Sequence, residues 1–413
     1  MSTYVIIGAS LAGAKAAETL REEGFSGRIV LIGAERERPY ERPPLSKGYL
    51  QGATDLEKVY VHESGWYAAH DVDLRLGITA TGIDPQGHLV HLDSGESQPY
   101  DKLLIATGAT PRPLAVDGGD LEGVHYLRTV ADSKALREAF ASGGRVVVVG
   151  AGWIGLETAA AARQAGCEVT VVAPGPAPLH RALGTEVGEI FAAVHRAHGV
   201  EFRLGASVSA LRETSGVREV VTTAGEVLPA DHVVAGIGAT PNVELGRSAG
   251  LEVAEGIVVD ASLRTSDPDI YAAGDVAEAA NPLLGRRIRV EHWANALNGG
   301  PAAARAMLGQ EVVYDRVPYF YTDQFDLGME FSGDLAGHDE VVFRGDPALR
   351  DGATPEFLVF WVTKDGRVLA GMNVNVWDVT DDIQALVRAG QAGRAVDLGR
   401  LADPEIPLSG LLG

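Results

Sequence analysis

The stretch VVVVGAGWIG, residues 146–155, decides the fold. Four consecutive valines predict a strand buried on both faces, as in a covered parallel sheet. Gly150, Gly152 and Gly155 follow with the spacing G-x-G-x-x-G. WIGLETAAAARQAG (153–166) reads as a helix closed by Gly166, and EVTVVA (168–173) as the next buried strand. In such a strand–turn–helix–strand unit the first glycine permits the tight turn. The second lets the backbone approach a pyrophosphate, and the third lets helix and strand pack closely. The helix N-terminus then attracts the phosphates.

The pattern occurs twice. YVIIG (4–8), LAGAKAAETLREE (11–23) and RIVLIG (28–33) form an equivalent unit near the start. Gly8 and Gly13 keep the outer glycines, while Ser10 stands where the middle one belongs. Alanines at 12, 14, 16 and 17 let this helix lie close to its sheet. Two matches in full context carry more weight than one isolated fingerprint. Glu35, just beyond RIVLIGA, stands where a carboxylate would reach a ribose. The second unit has Ala173 and Pro174 at that place, so the ribose acid is absent. Arg181 offers either a partner for a 2′-phosphate or an ordinary surface charge, which leaves NADH and NADPH both open.

YDKLLIATGATPRPL (100–114) and ADHVVAGIGATPN (230–242) are near copies. Each is a buried strand ending in Gly-Ala-Thr-Pro, and together they mark where the chain passes between two nucleotide domains. GIVVDASLRTSDPDIYAAGD (256–275) ends in Gly274-Asp275, a carboxylate suited to a polyol or to a helix N-cap. VEHWANALNGGPAAARAMLG (290–309) predicts a helix. After Pro318 the texture changes. The near-alternating EFLVFWV and RVLAGMNVN flank Lys364-Asp365-Gly366, a hairpin signal, and a last helix over 381–390 has Thr380 as its N-cap. The fold class is α/β, with two Rossmann-like domains and a C-terminal α+β domain.

Composition bounds the function. The 413 residues are 46% hydrophobic and carry a net charge of −21, which disfavours nucleic acid as a partner. No apolar run approaches the length of a membrane helix, and the N-terminus enters a strand without a leader pattern. A cytoplasmic protein is expected. The single cysteine, Cys167, excludes an internal disulfide, a CxxC redox pair and a multi-cysteine metal site, and no metal is expected.

Taken in order, GASLAG, RPYERPPLSK, LLIATGATPRP, YLRT, VVVGAGWIGLE, AGIGATPN, TSDPDIYAAGD, EHWANAL and FYTDQF span essentially the whole chain. In this ordered set the sequence resembles the FAD-dependent ferredoxin reductases of bacterial oxygenase systems. Rubredoxin reductases and the apoptosis-inducing factor are more distant relatives. The resemblance implies a glutathione-reductase-like fold. Its FAD domain would comprise 1–112 and 243–319, its NAD(P)H domain 113–242 and its interface domain 320–413. It carries the FAD positions onto Gly8, Ser10, Ala12, Gly13, Glu35, Arg42, Lys47, Ala80, Thr107, Gly108, Arg128, Gly274, Asp275, His292 and Trp293. The pyridine-nucleotide positions fall on Gly150, Gly152, Trp153, Ile154, Gly155, Glu157 and Gly238, with Trp153 at an aromatic position that gates the nicotinamide pocket. Lys47 and Glu157 are the expected catalytic pair.

The implied chemistry is hydride transfer from NADH or NADPH to FAD, then single-electron transfer to a 2Fe–2S ferredoxin. That ferredoxin would serve a haem-thiolate monooxygenase or a Rieske-type oxygenase. A rubredoxin reductase, or a non-enzymatic flavoprotein that responds to NADH, is the alternative. An oxidase or peroxidase is disfavoured because no cysteine falls beside a flavin motif. A monomer or homodimer is expected. Ferredoxins are usually acidic, so local basic groups must offset the repulsion. Arg286, Arg287 and Arg289, with Arg36, Arg38 and Arg42, are the candidates to dock one.

Overall fold

The computed structural model describes residues 1–214, 217–350 and 354–412. It divides into two compact units. The first comprises Met1–Arg42, Asp55–Thr110 and Thr240–Pro318; the second comprises Pro43–Thr54, Pro111–Ala239 and Tyr319–Gly413.

The first unit is built on a five-stranded parallel sheet. Its order is Ile270–Ala272, Lys102–Ile105, Thr3–Ile7, Arg28–Gly33, Val72–Leu76. The apolar runs behave as fully covered strands: Val5, Ile6, Ile29, Val30, Leu31, Leu103 and Leu104 are completely buried. Helix Leu11–Glu22 packs on helix Trp293–Met307 through small residues. A Cβ added at Gly300 would lie 2.2 Å from the Ala12 carbonyl oxygen, so only glycine permits this approach.

The second unit repeats the plan. Its parallel sheet runs Val200–Leu204, Glu168–Ala173, Arg145–Val149, His232–Ala235, Val124–His125. The central helix is Trp153–Gln164, and Gly166 follows it with φ 93°. A five-stranded antiparallel sheet completes this unit, in the order Tyr319–Gln324, Leu327–Gly333, Val368–Val374, Phe357–Val362, Glu340–Gly345. Leu156, Val187 and Phe191 share one apolar core with Met329, Phe331, Trp361 and Met372 of that sheet.

Two local expectations change. Strands Phe357–Val362 and Val368–Val374 are buried at every position, so their near-alternation does not separate a wet face from a dry one. Thr380 is the first residue of helix Thr380–Gln391 rather than its N-cap, which is Val379. The Thr380 hydroxyl donates instead to Glu330 Oε2 at 2.7 Å.

The C-terminal segment is held by one buried cation. Arg344, 7% exposed, donates to the carbonyl oxygens of Leu401, Pro404 and Ile406. Burial lowers its pKa, opposed by Asp403. Arg344→Met strands those carbonyls and is expected to destabilise the protein by about 2–4 kcal/mol. Urea unfolding measures this, and limited proteolysis should cut first within 398–412. A midpoint equal to wild type would show that water replaces the guanidinium without loss.

Candidate functional site

In the first unit the glycine turn is imposed by its own chain. Gly8 has φ 118°, and a Cβ there would lie 2.1 Å from the Ala106 carbonyl oxygen. A Cβ at Gly13 would strike the Gly8 carbonyl oxygen at the same distance. Ser10 is the N-cap of helix Leu11–Glu22 but makes no side-chain capping bond. A serine at that position normally accepts from the first-turn N–H groups. Here no such bond is made, and a helix N-terminus without a side-chain cap is a setting that suits an anion.

Around this turn the structure assembles most of the expected residues. A Cβ at Gly274 would be 3.4 Å from the Ala12 methyl, so Gly274-Asp275 lies against the same helix start. Glu35 accepts from the Tyr40 hydroxyl and, at 3.2 Å, from Arg42. Burial pulls the Arg42 guanidinium down, but Tyr40, Glu35 and Asp275 outweigh it and raise its pKa. His292 is the N-cap residue of the helix that begins at Trp293. Burial pushes His292 down to about 4 and so keeps the imidazole neutral, against the opposing pull of Asp275. The Thr107 hydroxyl donates to the Asn242 carbonyl oxygen at 2.9 Å, and the Asn242 backbone N–H donates to Gly108 at 2.9 Å. Ala80 opens the strand Ala80–Asp84, two residues after Ile78, whose N–H bonds Gly33.

The second unit carries the matching turn. A Cβ at Gly150 would lie 2.3 Å from the Gly236 carbonyl oxygen, and one at Gly155 would lie 2.2 Å from that of Gly150. Gly152 is different. Its φ is −84°, and a Cβ there would meet nothing within 4 Å. Neither backbone conformation nor neighbouring protein demands glycine at 152, which fits a ligand phosphate brought against the backbone. Helix Trp153–Gln164 also lacks a side-chain cap, and Ile154 in its first turn is exposed. Helix Val130–Ala141, by contrast, is closed by a full capping box from Thr129 and Asp132. Trp153 meets Phe320 and Phe191 edge-on, with centroids 4.7 and 6.0 Å apart. Gly238 has φ 104°, and the Gly238 carbonyl oxygen accepts from the Arg112 N–H. Arg128 lies just before the capped helix, whose Ser133 hydroxyl holds the Leu45 carbonyl at 2.8 Å.

Glu157 is the centre of this unit's polar chemistry. It lies two residues beyond Gly155 and is 4% exposed. Lys47 donates to Oε1 at 2.7 Å. The Thr322 hydroxyl donates to the same oxygen at 2.5 Å, and the Ser46 hydroxyl donates to Oε2. The Lys47 ammonium also stands 5.2 Å from the Tyr321 ring centre, at cation–π range. Pro43 and Pro44 open the 3₁₀ turn Pro43–Ser46 that presents this lysine. Ser46 and Thr322 were not singled out by the sequence, although both lie inside motifs that stood out there.

Some of the arginines expected to dock a partner already have carboxylate partners. Arg38 pairs with Glu57 at 2.5 Å and lies over the Tyr60 ring, Arg42 pairs with Glu35, and Arg289 with Glu291. Arg36, Arg286 and Arg287 are exposed. Cys167 is completely buried, and burial raises its thiol pKa, opposed by Arg163. Among the described residues no cluster of His, Cys, Asp and Glu is arranged to hold a metal ion, and no helix is long and apolar enough to cross a membrane.

Residues 2–300 match the family model of the pyridine nucleotide-disulphide oxidoreductases, and residues 319–412 match the reductase C-terminal domain. The chain belongs to the pyridine nucleotide-disulphide oxidoreductase family. It is an oxidoreductase, and FAD and NAD(P)H are the cofactors characteristic of the family's ferredoxin reductases. The chain is 42% identical over 411 residues to the ferredoxin–NAD(+) reductase component of the anthranilate 1,2-dioxygenase system of Burkholderia cepacia, covering 99% of each. Among solved structures it resembles the reductase of the covalent putidaredoxin reductase–putidaredoxin complex, with TM-score 0.92, 35% identity, and 99% and 98% of the two chains covered. It also resembles the ferredoxin reductase for the CYP199A2 system of Rhodopseudomonas palustris, with TM-score 0.93, 34% identity and full coverage of both chains.

Proposed function

We propose that the chain takes a hydride from NAD(P)H onto FAD and passes single electrons to a 2Fe–2S ferredoxin that feeds an oxygenase. The carrying observation is Glu157, a buried carboxylate tied to Lys47 and placed two residues beyond a dinucleotide-type glycine turn. Its corollary is the absent thiol. The family description includes disulphides, but the only cysteine in the sequence is buried and has its pKa raised. Without a thiol relay, electrons leave for a partner directly.

When bound, FAD supplies the conversion of a two-electron donor into single-electron steps. The protein's share is binding and electrostatics. Gly8, Ser10, Ala12 and Gly13 hold the FAD pyrophosphate at a helix N-terminus, and Glu35, with Arg42 beside it, takes the ribose. Asp275 takes a polyol hydroxyl, and Ala80, Thr107, Gly108, Arg128, His292 and Trp293 complete the FAD set. Gly150, Gly152, Ile154, Gly155 and Gly238 hold the nicotinamide dinucleotide, and Trp153 closes over it. Lys47 supplies a fixed positive charge, and Glu157 orients it. On this reading 1–112 and 243–319 form the FAD domain, 113–242 the NAD(P)H domain and 320–413 the interface domain, and the protein works in the cytoplasm as a monomer or homodimer.

The test is steady-state turnover with NADH and with NADPH, each against a 2Fe–2S ferredoxin and oxygen. Fast ferredoxin reduction with slow oxygen consumption is expected. Arg286→Glu with Arg287→Glu should lower ferredoxin-linked turnover about tenfold at low salt and leave reduction of the enzyme by NAD(P)H unchanged. Slow turnover with every acceptor would favour a non-enzymatic, NADH-responsive flavoprotein instead.

A further inference from the structure

The hydrogen bonds around Glu157 continue inward from Thr322. Gln324 is 1% exposed and lies two residues along the same strand, so both side chains point to one face. Its Nε2 donates to Thr322 Oγ1 at 3.1 Å, and its Oε1 faces His195 Nε2 at 2.8 Å. An amide oxygen carries no hydrogen, so His195 must hold its proton on Nε2. His195 is completely buried on helix Thr185–Ala197, edge-on to Phe325 and Phe202, and its Nδ1 has no hydrogen-bond partner among the described residues. Burial pushes its pKa down to about 4, against the bond to Gln324, so it is neutral at ordinary pH.

Each link therefore has one allowed direction. His195 donates to Gln324, Gln324 donates to Thr322, and the single Thr322 hydrogen goes to Glu157. We propose that His195 and Gln324 are positioning residues: they fix the Thr322 hydroxyl as a donor to Glu157 and so hold the carboxylate where it anchors Lys47. This rests on the role given above to the Lys47–Glu157 pair. Neither residue touches that pair directly. They act by removing the freedom of one hydroxyl, and the geometric gain is delivered to a lysine four hydrogen bonds from His195 and three from Gln324.

The directional claim is read first on the purified holoenzyme, with ¹⁵N-labelled histidine. His195 is expected as the Nε2–H tautomer, with Nδ1 bare. The Nδ1–H tautomer would reverse the chain and overturn the proposal. The positioning claim is read by variants. Thr322→Val and His195→Phe should slow reduction of the enzyme by NADH about tenfold, with the dissociation constant of NADH changed less than about twofold. Thr322→Ser and His195→Gln each keep a donor in place and should stay within about threefold of wild type. Labelling of the Lys47 amine by an acylating reagent, located by mass spectrometry, should rise severalfold in Thr322→Val and not in Thr322→Ser. Equal labelling and equal rates across the four variants would overturn the proposal. Should Thr322→Val not fold, the tautomer of the wild-type protein decides. Should wild-type protein accept no electrons from NAD(P)H, the proposed function falls, while the tautomer and the labelling still judge the relay.

Discussion

Glu157→Leu is expected to abolish most reduction of the enzyme by NAD(P)H, by about a hundredfold or more, and to lower stability by about 3–5 kcal/mol. The two losses share one cause. The carboxylate is buried and accepts from Lys47, Ser46 and Thr322. Removing it strands an ammonium that is only 14% exposed, together with two hydroxyls. Lys47→Met should cost less stability, because the carboxylate keeps both hydroxyl donors. Its effect on rate should be similar, because the positive charge is gone. In the double variant no stranded ammonium remains, so its stability should fall little below that of Glu157→Leu alone, a coupling of about 2–3 kcal/mol. Stopped-flow reduction and urea unfolding of the four proteins measure both quantities. Additive stability losses would mean that the pair is not coupled in solution. A wild-type reduction rate in Lys47→Met would remove the lysine from the chemistry.

The pair itself was within reach of the sequence, but the network around it was not. Both nucleotide folds were legible because a covered parallel strand leaves a continuous apolar run, and a glycine turn leaves a fixed spacing. RIVLIG and EVTVVA coincide with the strands Arg28–Gly33 and Glu168–Ala173. The C-terminal strands were harder. EFLVFWV looks half-alternating, yet Phe357–Val362 is buried on both faces, one of them shared with the core around Phe191. No local pattern announces that a distant helix will cover a strand. The same limit hid His195 and Gln324. A histidine on an amphipathic helix and a glutamine in a strand carry no spacing signal. Only the fold brings them within 2.8 Å of each other, across 129 residues of chain. Thr322 and Ser46, and Gln324 by its place in FYTDQF, were nearer to detection than His195. Each lies inside a conspicuous motif, but a hydroxyl gains meaning only when its acceptor is known. The pairing of several candidate docking arginines stayed hidden for a related reason. Sequence shows the charge of Arg38, Arg42 and Arg289 but not the carboxylates that already hold them.

Gly152→Ala separates the fold's need for glycine from the ligand's. The structure predicts opposite outcomes for two glycines three residues apart. At Gly155 an added methyl carbon would sit 2.2 Å from the Gly150 carbonyl oxygen, so the backbone must shift. Gly155→Ala should therefore cost about 1–3 kcal/mol of stability along with nucleotide binding. At Gly152 the methyl enters open space at an ordinary φ, so stability should change by less than about 1 kcal/mol. On the proposed function the same methyl stands where a pyrophosphate would approach the helix start. NAD(P)H should bind about 10- to 100-fold more weakly, equivalent to about 1.4–2.8 kcal/mol. FAD content should not change, because the first turn is a separate site. That turn supplies the internal control. Ser10 already places a side chain at the position matching Gly152, and its hydroxyl caps nothing in the helix. Ser10→Gly should thus leave the fold intact and weaken only FAD retention, while Gly152→Ala weakens only NAD(P)H. Titration of NAD(P)H into the FAD-loaded variants, with FAD release measured in parallel, gives both numbers. Unchanged NAD(P)H affinity in Gly152→Ala would remove the second turn as a pyrophosphate site. Loss of both ligands from either variant would mean that the two turns are not independent.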